Sequence, residues 1–201
     1  MLVSFIIASI LIELTPGPNM TWLAVLGASN GRKPALAAVA GIMLGLAIAA
    51  VVSGIGLTAL LYQFPMLFDA LRWAGTLYLF YLAFDAWRDA DSAVTIEDGS
   101  PHRSFVQGLV SNILNPKAYL FYAAMLPQFI DPAKEATQQI AFLSAVYVAI
   151  ATAIHLGIAL LAGTAADWLQ TSPQARTIRK VLALAIAAAA IWFFTSTRIT
   201  T

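Results

Sequence analysis

Two polar patches broken by proline lie inside otherwise apolar stretches, Glu13-Leu-Thr-Pro-Gly-Pro-Asn19 and Asn112-Ile-Leu-Asn-Pro-Lys117. Together they carry a carboxylate, an ammonium, a hydroxyl and three side-chain amides, which is the set needed to hold a small zwitterion. In that reading Lys117 faces a carboxylate, Glu13 faces an ammonium or carries a coupling proton, and Thr15, Asn19, Asn112 and Asn115 supply neutral donors and acceptors. Proline also removes a backbone donor and breaks the helical ladder, so each patch exposes main-chain groups that lipid cannot satisfy. Such breaks at corresponding places in the two halves of a chain are a pointer to a transporter's binding site. Gly17 reads as a backbone device between Pro16 and Pro18.

Both ionisable residues sit deep. Glu13 lies about 17 Å from the start of its helix and Lys117 about 20 Å from the start of its own, at ~1.5 Å per residue. A charge at that depth costs about 2.5 to 3.5 kcal/mol on insertion scales, so it pairs or faces a wet cavity. The structural alternatives are that Glu13 and Lys117 pair with each other, that Lys117 extends its stem toward the headgroups, and that the hydroxyl and amides only satisfy the backbone groups freed by the prolines. His155, on an apolar helix, is a candidate proton relay with a packing role as its alternative. Asp85 stands one turn before Arg88, where an i,i+3 ion pair is expected.

The elements that must position these residues follow from composition. The 201 residues are 60% hydrophobic and 10% charged, with a mean hydropathy of +0.80, far from a soluble domain. Continuous apolar stretches of about 20 residues favour helices over an outer-membrane barrel. Six spanning helices are expected, at 2–28, 35–61, 67–88, 104–130, 138–163 and 178–198, with Pro34 suited to a helix start. A polar segment at 89–103 separates a first three-helix repeat at 1–88 from a second at 104–201. Pro18 and Pro116 are 98 residues apart, and three helices per half invert the second repeat. The expected fold is therefore an all-α membrane protein of two inverted three-helix repeats with helices 1 and 4 broken.

Small residues mark close helix contacts: Gly41/Gly45, Ala153/Gly157 and Ala159/Gly163 are spaced for packing within the bundle. Seven Lys and Arg residues in the joints after helices 1, 3 and 5, against three on the other side, place both termini outside the cytoplasm. No positive side chain precedes the first apolar run, so a cleaved signal peptide is not expected. The absence of cysteine excludes disulfide and thiolate chemistry, and a net charge of +1 argues against nucleic-acid binding. No metal site, cofactor or enzyme signature is expected, since HExxH, GxSxG and glycine-rich phosphate loops are lacking.

The chain resembles the lysine exporter family and within it the homoserine/threonine-type LysE/RhtB exporters. The resemblance rests on Thr15-Pro-Gly-Pro-Asn-Met20, Gly31-Arg32, Gly41 to Gly45, and Gly108-Leu-Val-Ser-Asn-Ile-Leu-Asn-Pro-Lys-Ala118 followed by Pro127-Gln-Phe129. It implies an inner-membrane exporter of amino acids or close relatives, coupled to the proton gradient. Pro16, Gly17, Pro18 and Asn19 match the first family motif, and Asn112, Asn115, Pro116 and Lys117 the second. Glu13 lies outside the pattern, so its role rests on burial alone. Partners are then a small-molecule substrate, protons and the bilayer, with a homo-oligomer left open. The competing readings are an exporter of another solute such as a cation, and a membrane scaffold or accessory subunit in which the breaks are only kinks.

Overall fold

The computed structural model describes residues 1–15, 17–54, 63–91 and 100–196. Among them every regular element is helical. Helix α1 (Leu2–Leu14) is followed by α2 (Pro18–Asn30), whose axis turns 63° from that of α1. Then come α3 (Arg32–Gly54) and α4 (Pro65–Asp89). The second half opens with α5 (Pro101–Ile113) and α6 (Pro116–Leu120), continued by a π turn at Phe121–Met125 and a 3-10 turn at Leu126–Phe129. It closes with α7 (Ala136–Thr164), the short α8 (Ala166–Thr171) and α9 (Ala175–Ser196).

Each interruption has a chemical cause. Pro18 and Pro116 occupy first-turn positions of α2 and α6, where a missing donor is harmless, while their carbonyl partners in the preceding helix lose an i+4 donor. Pro127 stands inside the 3-10 turn directly after the π turn, so the ladder is loosened where it cannot donate. Elsewhere the termini are capped locally. Glu135 accepts from the main-chain N–H groups of Thr137 and Gln138 at the start of α7, and the Gln138 bond is the first cause holding its carboxyl below the usual range.

Several expected boundaries shift. The second helix begins at Arg32, so Pro34 lies within its first turn, and the part of that expectation at 55–61 lies outside the described residues, as do linker positions 92–99 and positions 197–198 of the last helix. The end of the polar linker is helical: Pro101 lacks a donor that the first turn does not need, so His102 and Arg103 belong to α5. Asp85 does not pair with Arg88. Its carboxylate is taken by Arg103, and by the side-chain amide of Gln107 at 3.1 Å, because α5 brings two donors across from the other half.

Glycine sets the tightest contact in the fold, between α3 and α5. A Cβ on Gly41 would stand 2.0 Å from the Phe105 carbonyl oxygen, and one on Gly108 would stand 2.3 Å from that of Ala38. Gly45 clears the space filled by Asn112, whose Cβ would be 2.9 Å from an added methyl. At Gly163 the neighbour is the Arg32 side chain, at 2.4 Å. The Ala153/Gly157 pair does not share this role, for Ala153 is exposed and nothing lies within 4 Å of a Cβ at Gly157. That face of α7 points away from the bundle, so spacing alone misassigned it.

Helices α4 and α9 are clasped at both ends. Arg72 lies over the Phe194 ring at 4.4 Å, and Lys180 over the Trp87 ring at 4.9 Å. The clasps are about 22 Å apart along α4 at ~1.5 Å per residue. Asp91 adds ion pairs to Arg176 and Lys180, whose hydrogen bonds, that of Lys180 foremost, hold its carboxyl below the usual range.

By length and composition three described helices can cross a membrane, α3, α7 and α9, or four if α1 and α2 form one bent span. Helix α4 is 25 residues long but carries Asp69, Arg72, Asp85, Arg88 and Asp89. The glycine contacts lead to a contrast between positions. Gly41→Ala and Gly108→Ala are expected to destabilise the purified protein by about 1–3 kcal/mol through overpacking, read as a lower thermal midpoint, whereas Gly157→Ala, inside a helix and with open space for the methyl, keeps or raises the midpoint.

Candidate functional site

The two broken helices meet. Asn19, in the first turn of α2, donates from Nδ2 to Asn112 Oδ1 at 3.1 Å and accepts from the Ser111 hydroxyl at 2.6 Å. Asn112 and Ser111 lie in the last turn of α5, so this knot joins residues more than ninety positions apart. Gly17 caps the start of α2 in extended conformation, and its carbonyl oxygen accepts from the Thr21 hydroxyl at 3.1 Å.

Lys117 completes the junction. Its main-chain N–H donates to the Asn115 side chain at 3.0 Å, which caps α6. Its ammonium reaches across to α1 and donates to the carbonyl oxygens of Ile12 at 2.7 Å and Thr15 at 3.3 Å. The i+4 partner of the Ile12 carbonyl would be residue 16, a proline without an N–H, and this carbonyl accepts instead from the Thr15 N–H at 3.2 Å and from Lys117. Pro16 itself lies outside the described residues. The equivalent carbonyl in the second half is that of Asn112, opposite Pro116, and it accepts from the Asn115 N–H at 3.0 Å. The adjoining Ile113 carbonyl accepts from the Tyr119 hydroxyl at 3.0 Å. The Thr15 hydroxyl turns back to the Leu11 carbonyl at 3.0 Å, beside the bond that this carbonyl takes from the Thr15 N–H.

Glu13 is 5% exposed, and its Oε1 accepts from the Tyr147 hydroxyl at 2.5 Å. No salt bridge joins it to Lys117 among the described residues, although both line the same narrow cavity with Gly17, Pro18, Asn19 and Asn112. Asn115, Tyr147 and His155 also line it, and the space between them admits about one water molecule. His155 is 4% exposed, and its Nδ1 lies 2.7 Å from the Ala151 carbonyl oxygen. That contact assigns the proton to Nδ1 and leaves Nε2 as an acceptor.

One donor remains unused. Asn112 is 2% exposed, and its Nδ2 has no hydrogen-bond partner. A buried amide donor without a partner costs about 1–3 kcal/mol, and here it belongs to a residue on the cavity wall.

The described residues of the sequence reading line the cavity except Pro116, at the start of α6, and Thr15, whose carbonyl oxygen accepts from the Lys117 ammonium. Sequence reasoning missed Ser111 and Tyr147. Ser111 adjoins Asn112 within a motif already singled out, whereas Tyr147 is an ordinary core aromatic by sequence, stacked on Phe121 at 3.6 Å between ring centroids. No group of three or more His, Cys, Asp or Glu side chains fit to hold a metal occurs among the described residues.

A helical membrane protein in which two proline breaks converge on a buried polar cavity has the organisation of a solute carrier. Residues 10–197 match the LysE type translocator family. The chain belongs to that family, whose members are translocators rather than enzymes. It is 31% identical over 180 residues to the homoserine/homoserine lactone efflux protein of Salmonella typhimurium, covering 88% of this chain and 87% of the relative. It is 28% identical over 167 residues to the leucine efflux protein of Klebsiella pneumoniae, covering 80% and 78%. An uncharacterized membrane protein of Vibrio cholerae is 29% identical over 177 residues, covering 87% and 86%. No solved structure matches.

The Glu13 contact gives a stability prediction. Tyr147→Phe removes the donor to a buried carboxylate and is expected to destabilise the purified protein by about 1–3 kcal/mol. Glu13→Gln keeps an acceptor for the tyrosine and is expected to lose less, as read from the thermal midpoints of the two variants.

Proposed function

We propose that the chain exports small neutral amino acids or their close derivatives from the cytoplasm across the bacterial inner membrane by alternating access. The observation that carries this reading is the cavity at the two helix breaks, which gathers an ammonium, a carboxylate and an unpartnered amide donor. The Lys117 ammonium and Asn112 Nδ2 would receive the substrate carboxylate, and Glu13 its ammonium. Asn19, Asn115 and the backbone around Pro16, Gly17, Pro18 and Pro116 would shape the rest. Names of relatives that efflux homoserine or leucine support the substrate class.

In this reading the chain spans the membrane six times as two inverted repeats, 1–88 and 104–201, with both termini outside the cytoplasm. The bent α1–α2 pair is span 1, and α5 with its continuation to Phe129 is span 4. Substrate carboxylate competes with the Ile12 and Thr15 carbonyls for Lys117. Its arrival would release α1 and allow one repeat to rock against the other. Protons would couple through Glu13 and His155, which line the cavity with Tyr147.

The test is export from reconstituted vesicles loaded with L-homoserine, L-leucine or other neutral amino acids. Lys117→Ala and Asn115→Ala are expected to abolish efflux while the protein stays in the membrane in normal amount. Unchanged efflux in both variants would contradict the site.

A further inference from the structure

A second polar cavity opens at the other end of the bundle, between α2, α4, α5 and α9. Asp85, Asp89, Arg103, Gln107 and Arg179 line it, and Trp22 forms part of its wall. It is roomier than the cavity at the breaks, with space for several water molecules. Asp85 is already taken by Arg103 and Gln107. Arg179 and Asp89 are not so engaged: both line the cavity and sense each other's charge, yet no salt bridge closes between them. Arg179 is 7% exposed, and its Nε has no hydrogen-bond partner. A buried guanidinium with an unused donor is costly, and its planar fork fits a carboxylate.

A row of buried polar side chains lies on α5 between residues of the two cavities. Ser104, Gln107 and Ser111 are buried and recur three and four residues apart, on one face of α5. The row runs from Arg103 to Asn112, about 13 Å at ~1.5 Å per residue. Burying such a row against lipid-spanning helices has no packing benefit over an apolar one. Helix α2 runs alongside, with Asn30 and Trp22 at the outer cavity and Asn19 at the breaks.

We propose that the outer cavity is a loading site for the zwitterionic head of the transported solute, its carboxylate on Arg179 and its ammonium on Asp89. From there the Ser104–Gln107–Ser111 row leads to Asn112. The site rests on the export reading, and it lies at the end of the bundle that the Lys and Arg distribution assigns to the cytoplasm, where an exporter collects its substrate.

The chain has no cysteine, so Ser29→Cys, on the half-buried wall of this cavity, gives a single reporter thiol. Its rate of reaction with a small thiol reagent is measured on the full chain in nanodiscs, with each standard neutral L-amino acid, L-homoserine and 3-amino-1-propanol, which is homoserine without its carboxylate. At ten times its dissociation constant an amino acid that loads here is expected to slow labelling about tenfold by mass action, and 3-amino-1-propanol is not. Arg179→Gln and Asp89→Asn, each added to the reporter, are expected to abolish the protection, and Arg179→Lys to restore part of it. Equal protection by the amino alcohol, protection that survives both Arg179→Gln and Asp89→Asn, or no protection by any amino acid overturns the loading site. Efflux from vesicles separates the two readings: efflux without protection refutes the loading site alone, and protection without efflux refutes export alone.

Discussion

The central constraint is a missing hydrogen-bond donor repeated in both halves. Pro16 deprives the Ile12 carbonyl of its helical partner, and Pro116 does the same to Asn112. In an apolar surround those carbonyls must be met by protein. Each is met by an i+3 main-chain N–H, from Thr15 and Asn115, and the first also by Lys117 from the other half of the chain. A residue that repairs one break is thus planted at the other. That arrangement explains why the junction is made of side chains at all.

Close packing follows from it. For Asn112 to reach Asn19, α5 must lie nearly in contact with α3, and only glycine at Gly41, Gly45 and Gly108 leaves the room. The same approach sets Ser111 on Asn19 and leaves Asn112 Nδ2 beside Gly45 without a partner. Under the proposed function, structural repair and solute binding would be overlapping uses of one group of atoms. Lys117 holds α1 through two carbonyl oxygens, and a substrate carboxylate would be the stronger acceptor for it. Competition of that kind links occupancy to the position of a helix without a separate switch.

Much of this was legible because proline and charge are conspicuous in an apolar sequence. The breaks and the burial of Glu13 can be read from residue type and position. The direct Glu13–Lys117 pair considered as an alternative does not form, because nearer partners exist: Tyr147 for the carboxylate and the α1 carbonyls for the ammonium. Tyr147 could not be found from sequence, since a core tyrosine and a carboxylate partner differ only in what faces the hydroxyl. The Asp85–Arg88 expectation failed for a related reason. Spacing within a helix proposes a neighbour, but Arg103 and Gln107 from α5 arrive with better geometry. Likewise the Ala153/Gly157 spacing says that a face is smooth, not that another helix lies on it.

The account depends on the two breaks touching, and a double-mutant cycle between Asn19 and Asn112 tests this directly. Unfolding free energies of the purified protein would be compared for Asn19→Ala, Asn112→Ala and the double variant. Direct contact predicts a coupling of about 0.5–3 kcal/mol, with the double variant less impaired than the sum of the single ones. Additive losses, within about 0.3 kcal/mol, would mean that the two halves do not meet at these residues and would contradict the account.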